Sequence, residues 1–149
     1  MISAQLSVGL RALALAIWFG GGLAMLLATR AIFARAGSRA LAGSISGEAL
    51  LRFQLLRGFA AVLLGGSALL GGRGLATVLG LGCILFQLAS SPVDTRLRKL
   101  RVELGGSTEG LAEGDPRRKQ FGVLHGISVL LLLAQIALAA VAILLAARP

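Results

Sequence analysis

The residues able to do chemistry in this chain are few, and most of them interrupt stretches that are otherwise apolar. There is one histidine, His125, one cysteine, Cys83, and six acids. Along the last apolar stretch Gly122, His125, Ser128 and Gln135 stand three, three and seven residues apart. At about 100° per residue that spacing puts them on one helix face about 140° wide. Gly80, Cys83, Gln87, Ser90 and Asp94 step by three, four, three and four along another stretch, and Gln54 and Arg57 stand three apart on a third. Thr29 and Arg30 close the first. Polar groups in hydrocarbon are costly and turn toward a protein interior, which makes each of them a candidate for function.

Such a set suits recognition or passage of a small ligand, or proton transfer at the imidazole. Catalysis has little support, and the expectation is a protein that is not an enzyme, with no catalytic residue. No His-x-x-x-His or Cys-x-x-Cys spacing occurs. One histidine and one cysteine cannot complete a structural zinc site, so His125 is the only plausible metal ligand of its type. No glycine-rich loop precedes a Lys-Ser/Thr pair, and no motif indicates a cofactor. A haem or quinone redox protein is the least favoured reading, because a haem would find one axial histidine per chain.

The elements that position these residues follow from composition. Apolar residues make up 56% of the 149 and charged residues 14%, against roughly 45–50% and about 25% in a soluble domain. That excludes a soluble fold and intrinsic disorder. Ala12–Thr29 is uncharged over 18 residues, Gly74–Val93 over 20, and Gln120–Ala147 holds only His125 as an ionisable group over 28. Gly58–Gly72 is uncharged for only 15, short of the roughly 20 that a spanning helix needs. That span must begin near Leu51 and take in Arg57. The expected fold is all-α, a four-transmembrane-helix bundle in one membrane domain, 1–149. Its helices fall at about 10–31, 51–72, 74–92 and 119–147, with loops 32–50 and 93–118. Ser90-Ser91-Pro92 is read as the stop of the third helix, and Gly71-Gly72-Arg73-Gly74 forces an antiparallel hairpin. The first apolar run is longer than the h-region of a cleavable signal.

Orientation comes from the basic residues. Eleven lysines and arginines fall on the side of the two long loops and three, Arg11, Arg73 and Arg148, on the other. The positive-inside rule then places the loops in the cytoplasm and both termini outside, in the cytoplasmic (inner) membrane. The net charge of +9 is read as this topology signal and an attraction to anionic headgroups at the cytoplasmic face, not as nucleic-acid binding. Arg35 and Arg39 suggest a short interfacial helix, and residues 104–116 a flexible turn.

Depth brings the polar residues together. Arg57, Gln87 and His125 each lie five or six residues inside the cytoplasmic ends of their spans, or roughly 8–9 Å. They predict one polar pocket open to the cytoplasm, with Ser128 and Cys83 above it and Asp94 at its mouth. Each residue also has a plainer role. His125, Gln87, Gln135 and Ser128 can be interhelical hydrogen-bonding groups. Arg57 can snorkel, Cys83 can fill space, and Trp18 can serve as packing or as pocket wall. Small residues at Gly20-Gly21-Gly22, Gly65-Gly66, Ala76 and Gly80 predict close helix packing. They leave open a rival reading, an accessory subunit docked in a homo-oligomer or larger membrane complex.

The run Arg117-Arg118-Lys119-Gln120-Phe121-Gly122-Val123-Leu124-His125-Gly126-Ile127-Ser128 resembles the opening of the last helix in the domain-of-unknown-function family 4149, which includes transmembrane protein 205-like proteins. Ile17-Trp18-Phe19-Gly20-Gly21 is similar to that family's Trp-x-Gly element, and Pro92 with its basic run to the end of its third helix. The chain departs from the family at Arg30 or Ala31, where a proline is common, and at Leu132, where an asparagine is common. A more distant likeness is to copper-resistance D-like membrane proteins. The resemblance implies a four-span membrane fold and no established reaction.

Overall fold

The computed structural model describes residues 2–108 and 110–147, and every regular element among them is a helix. Arg148, counted above among the outer charges, and Glu109, within the 104–116 turn, lie outside the described residues. α1 (Ile2–Ala16), a π-helical turn (Ile17–Gly21) and α2 (Gly22–Arg35) form one rod, followed by α3 (Arg39–Leu69), α4 (Leu75–Glu103) and α5 (Pro116–Ala146). All four rods are long and apolar enough to cross a membrane. Each carries outward-facing leucines and valines, among them Leu27, Val62, Leu85 and Leu130. Water would drive such surfaces together, whereas hydrocarbon solvates them, consistent with an integral membrane protein.

The rods alternate in direction. Ser7 of α1 meets Ser67 at the far end of α3, and Arg101 at the end of α4 meets Gly43 at the start of α3. α4 and α5 lie most closely together, and the first rod runs along α3 and touches α5. α3 and α4 make the slightest of the adjacent interfaces, although only residues 70–74 join them. The expected hairpin is present in the chain path, but its two arms splay.

The helices overrun the spans read from hydropathy at the loop end of the bundle, while α3 stops short of the expected 72, at Leu69. The expected 10–31, 51–72, 74–92 and 119–147 become Ile2–Arg35, Arg39–Leu69, Leu75–Glu103 and Pro116–Ala146. A charge-free window marks the hydrocarbon thickness, while backbone hydrogen bonding carries a helix past it into the headgroups. The loops expected at 32–50 and 93–118 therefore shrink to 36–38 and 104–115. No separate interfacial helix forms at Arg35 and Arg39: α2 ends at Arg35, Ala36 is extended, and Ser38 caps α3 by accepting from the Leu41 amide at 3.2 Å. Pro92 does not stop the third span, which runs on through it to Glu103. Membrane helices tolerate an internal proline when nearby side chains meet the freed backbone groups. Ser90 Oγ donates to the Gln87 carbonyl at 2.9 Å, next to the Leu88 carbonyl that lacks the amide of residue 92.

Both ends of the α3–α4 pair are finished by glycine. Gly71 (φ 85°) and Gly105 (φ 63°) adopt the left-handed conformation. The following amides of Gly72 and Gly106 reach back to Ser67 and Arg101 at 2.9 Å, the paired bonding of a Schellman cap. The 104–116 segment thus begins as an ordered helix end. It finishes as one too, with Pro116 in the first turn of α5 and Asp115 accepting from the Arg117 amide at 2.8 Å. Arg117 also pairs with that carboxylate at 2.7 Å, and its hydrogen bonds hold Asp115 below its ordinary pKa.

The half of the bundle nearest the 70–74 turn is closed. Ser7 Oγ donates to the Ser67 carbonyl at 2.9 Å, Ser67 Oγ donates to the Ser7 carbonyl at 2.8 Å, and Arg11 reaches Thr77 Oγ1 at 3.1 Å. Beneath them Ala14, Leu15, Trp18, Ala60, Leu64, Cys83, Ala139 and Ala142 form a buried apolar plug. Small residues allow it. A Cβ on Gly80 would stand 2.8 Å from Leu64, and one on Gly22 2.6 Å from Ile136. Trp18, 1% exposed, belongs to this plug and not to a pocket wall. Gly20 and Gly65 face open space, so they take no part in the contacts expected of them.

Candidate functional site

Toward the opposite end, where the 36–38 and 104–115 loops lie, the bundle opens into a cavity of about 470 Å³ between α2, α3, α4 and α5. Its polar wall is organised around Asp94. One carboxylate oxygen accepts from Ser128 Oγ at 2.6 Å, the other from Gln54 Nε2 at 2.7 Å, and an Arg57 Nη stands 3.9 Å from the second. The other Nη of Arg57 donates to Gln135 Oε1 at 3.0 Å. These five side chains tie α3, α4 and α5 together. Arg57 is 2% exposed and its guanidinium lies 5.2 Å from the Phe53 ring centroid. It does not snorkel out of the bundle. An arginine held this deep is tolerated because a carboxylate and an amide oxygen face it.

Arg57, Asp94, His125 and Ser128, four of the six residues expected to meet, line this one cavity. Asp94 sits at the centre of the hydrogen bonds and not at the mouth, because α4 continues through Pro92 and carries it back into the bundle. The other two stand elsewhere. Cys83 is fully buried in the plug, with Sγ 3.6 Å from the Gln135 carbonyl. Gln87 is half-buried outside the cavity, and its Oε1 is buried with no partner among the described residues. Both share the inward face of α4 with Asp94, but at depths where α4 and α5 close on each other.

His125 lines the cavity from an exposed position and stacks on Phe121, centroids 6.2 Å apart and planes at 12°. Arg101 places its guanidinium 5.8 Å from the centroid of the same Phe121 ring and donates to the Gly43 carbonyl at 3.2 Å. No hydrogen bond to the imidazole is formed by the described residues, which leaves both ring nitrogens available.

Sequence reasoning missed Arg101 and Ser46 as cavity residues. Ser46 fell in the expected 32–50 loop, and Arg101 was weighed only as a topology charge. Their helical step onto the stripes of Arg57 and Asp94 was the available signal, masked once 32–50 and 93–118 were taken as loops. A second cavity of about 360 Å³ lies between the splayed α3 and α4 and shares Leu50, Asp94, Leu97 and Arg101 with the first. Among the described residues no three His, Cys, Asp or Glu side chains gather in a way that could hold a metal ion. No protein-family model, curated protein or solved structure matches the chain.

Proposed function

We propose that this chain is an integral protein of the cytoplasmic membrane that binds, or passes, a small ligand through the cavity at its loop end. In this reading the loop end faces the cytoplasm, both termini lie outside, and no catalytic step is involved. The observation that carries it is the asymmetry of the bundle. One half is a closed apolar plug, and the other encloses about 470 Å³ with a buried charged network in its wall. A helix bundle with only a structural role has no need of an internal arginine and carboxylate beside unfilled volume, since both are costly in hydrocarbon. The placement beside the family-4149 proteins rests on Leu124-His125-Gly126 and Ser128 together with the four spans.

Thiol labelling tests the reading. In a Cys83→Ser background, Ser46→Cys and Ser128→Cys should react with a membrane-impermeant maleimide offered from the cytoplasmic side and stay silent to the same reagent from outside. Labelling from outside overturns the orientation. No labelling from either side, in protein that elutes as wild type, overturns the open cavity.

The accessory-subunit reading keeps one observation in its favour. Gly58 and Gly65 on α3 and Gly20 on the first rod look onto open space, where another membrane helix can approach. It requires a fixed partner that co-purifies with the chain and is released by Gly65→Leu.

A further inference from the structure

We infer that the ligand of the loop-end cavity is an anion with an apolar tail. The inference rests on the proposed binding function and names its ligand class. Three arginines, Arg30, Arg57 and Arg101, line the cavity against one carboxylate, Asp94. That carboxylate is already committed, with both oxygens bonded and Arg57 beside it. Among the described residues Arg30 and Arg101 have no acidic partner. Donors are also left over: among the described residues Arg57 Nε, Arg101 Nε and the Ser46 hydroxyl are all buried without a hydrogen-bond partner.

A buried donor without an acceptor carries its whole desolvation penalty, and an uncompensated charge more. A cationic ligand would add to this excess, and a neutral one would leave the guanidiniums unanswered. A carboxylate or phosphate supplies both the charge and the acceptors, and guanidinium is the side chain best shaped to receive either. Beside these groups and the polar Thr29, Ser90, His125 and Ser128, the wall is apolar, with Met25, Leu26, Phe33, Val129 and Leu132 on the α2 and α5 sides. An inorganic anion leaves that surface unfilled, while an alkyl or prenyl chain covers it. The same head-and-tail chemistry is found in a free long-chain acid and in an anionic phospholipid.

The test uses cis-parinarate, a fluorescent long-chain carboxylate, with the full chain in maltoside micelles. Trp18, the only tryptophan, serves as energy donor. Dodecanoate, dodecanol and dodecylamine compete, followed by phosphatidylglycerol and phosphatidylcholine. Dodecanoate should displace the probe at least about tenfold better than the alcohol or the amine. Arg101→Gln should weaken probe binding by a similar factor, as expected for loss of one charge-assisted contact. Should that variant fail to elute as wild type, Arg30→Gln, at an exposed position, takes its place with the same expectation. Displacement by dodecanoate alone identifies a free amphiphilic anion; displacement by phosphatidylglycerol and not phosphatidylcholine identifies a lipid headgroup. If the alcohol competes as well as the acid, the anion inference is overturned while the cavity reading stands. If no compound displaces the probe from folded protein, both are overturned.

Discussion

The pairing of Arg57 with Asp94 can be weighed by a double-mutant cycle. The two charges stand 3.9 Å apart, which at an effective dielectric of about 20 corresponds to about 4 kcal/mol of attraction. Asp94→Asn removes that charge. It keeps an oxygen for Gln54 Nε2, and the Ser128 hydroxyl can turn to accept from the new amide, so the loss is one of charge. Arg57, 2% exposed, is then a buried cation without a counter-charge, and the variant should lose about 4 kcal/mol. Arg57→Gln should cost less, about 2 kcal/mol, because Asp94 keeps its other two donors and an uncompensated carboxylate can take up a proton. The double variant should lose about 3 kcal/mol, giving a coupling of about 3 kcal/mol. The assay is dodecyl sulfate titration in mixed micelles with Trp18 emission as the probe, since Trp18 is 1% exposed and reports opening of the plug. Single costs that simply add, with coupling below about 0.5 kcal/mol, would refute the claim that this pair is held by its charges.

Further outcomes follow from the same structure. A Cβ on Gly72 would stand 2.6 Å from the Ser67 carbonyl oxygen, so Gly72→Ala should cost about 1–3 kcal/mol. Gly65→Ala, in open space, should gain about 0.5–1 kcal/mol of helix stability; the same titration compares them, and equal effects would contradict the packing described. Pro92→Ala restores an amide to α4 and should stabilise the protein by about 1–3 kcal/mol. A loss instead would show that Pro92 itself is needed to place Asp94. Asp115 is held below its ordinary pKa by Arg117. Its share of stability is therefore complete above the usual carboxylate value of about 3.9 and disappears as pH falls through the lower folded value. Thermal melts of wild type and Asp115→Asn, which keeps a capping oxygen, should differ most near neutrality, with wild type the more stable, and converge as pH falls below the folded value of Asp115.

Much of this was legible in the residues. Charge-free windows located four spans, and helical phase put Asp94, Ser90 and Cys83 on one face of α4 and Ser128 with Gln135 on one face of α5. Phase alone cannot say how deep a cavity runs. Cys83 and Gln87 share the face of Asp94, but at their level the small side chains of the plug let the helices meet. His125 lies about 60° round from Ser128, and that angle is the difference between lining the cavity and joining its hydrogen bonds. The largest error came from treating Pro92 as a stop. A proline removes one amide, whereas a helix in hydrocarbon has no water to turn to, so continuing past the proline is the less costly course. The splay of α3 from α4, which opens the second cavity, left no trace in either helix's own pattern, because it depends on what the other two rods fill.

The π-helical turn at Ile17–Gly21 divides the first rod at the level where the plug gives way to the cavity. Such a turn takes up one residue more than an α-helical one, and one residue is worth about 100° of rotation for everything beyond it. Ala14 and Leu15, on one side, face the plug; Met25 and Thr29, on the other, face the cavity. The two halves of this rod are therefore set to independent phases, as if two shorter helices had been joined by a clutch. Loss of a single residue at Gly20, where nothing crowds the backbone, would convert this turn to an α-helical one and leave both halves facing as they do, whereas the same loss from the α-helical turn that follows would swing Met25 and Thr29 out of the cavity wall. The first rod thus has one point at which its length can change by a residue without turning the walls of the chamber below.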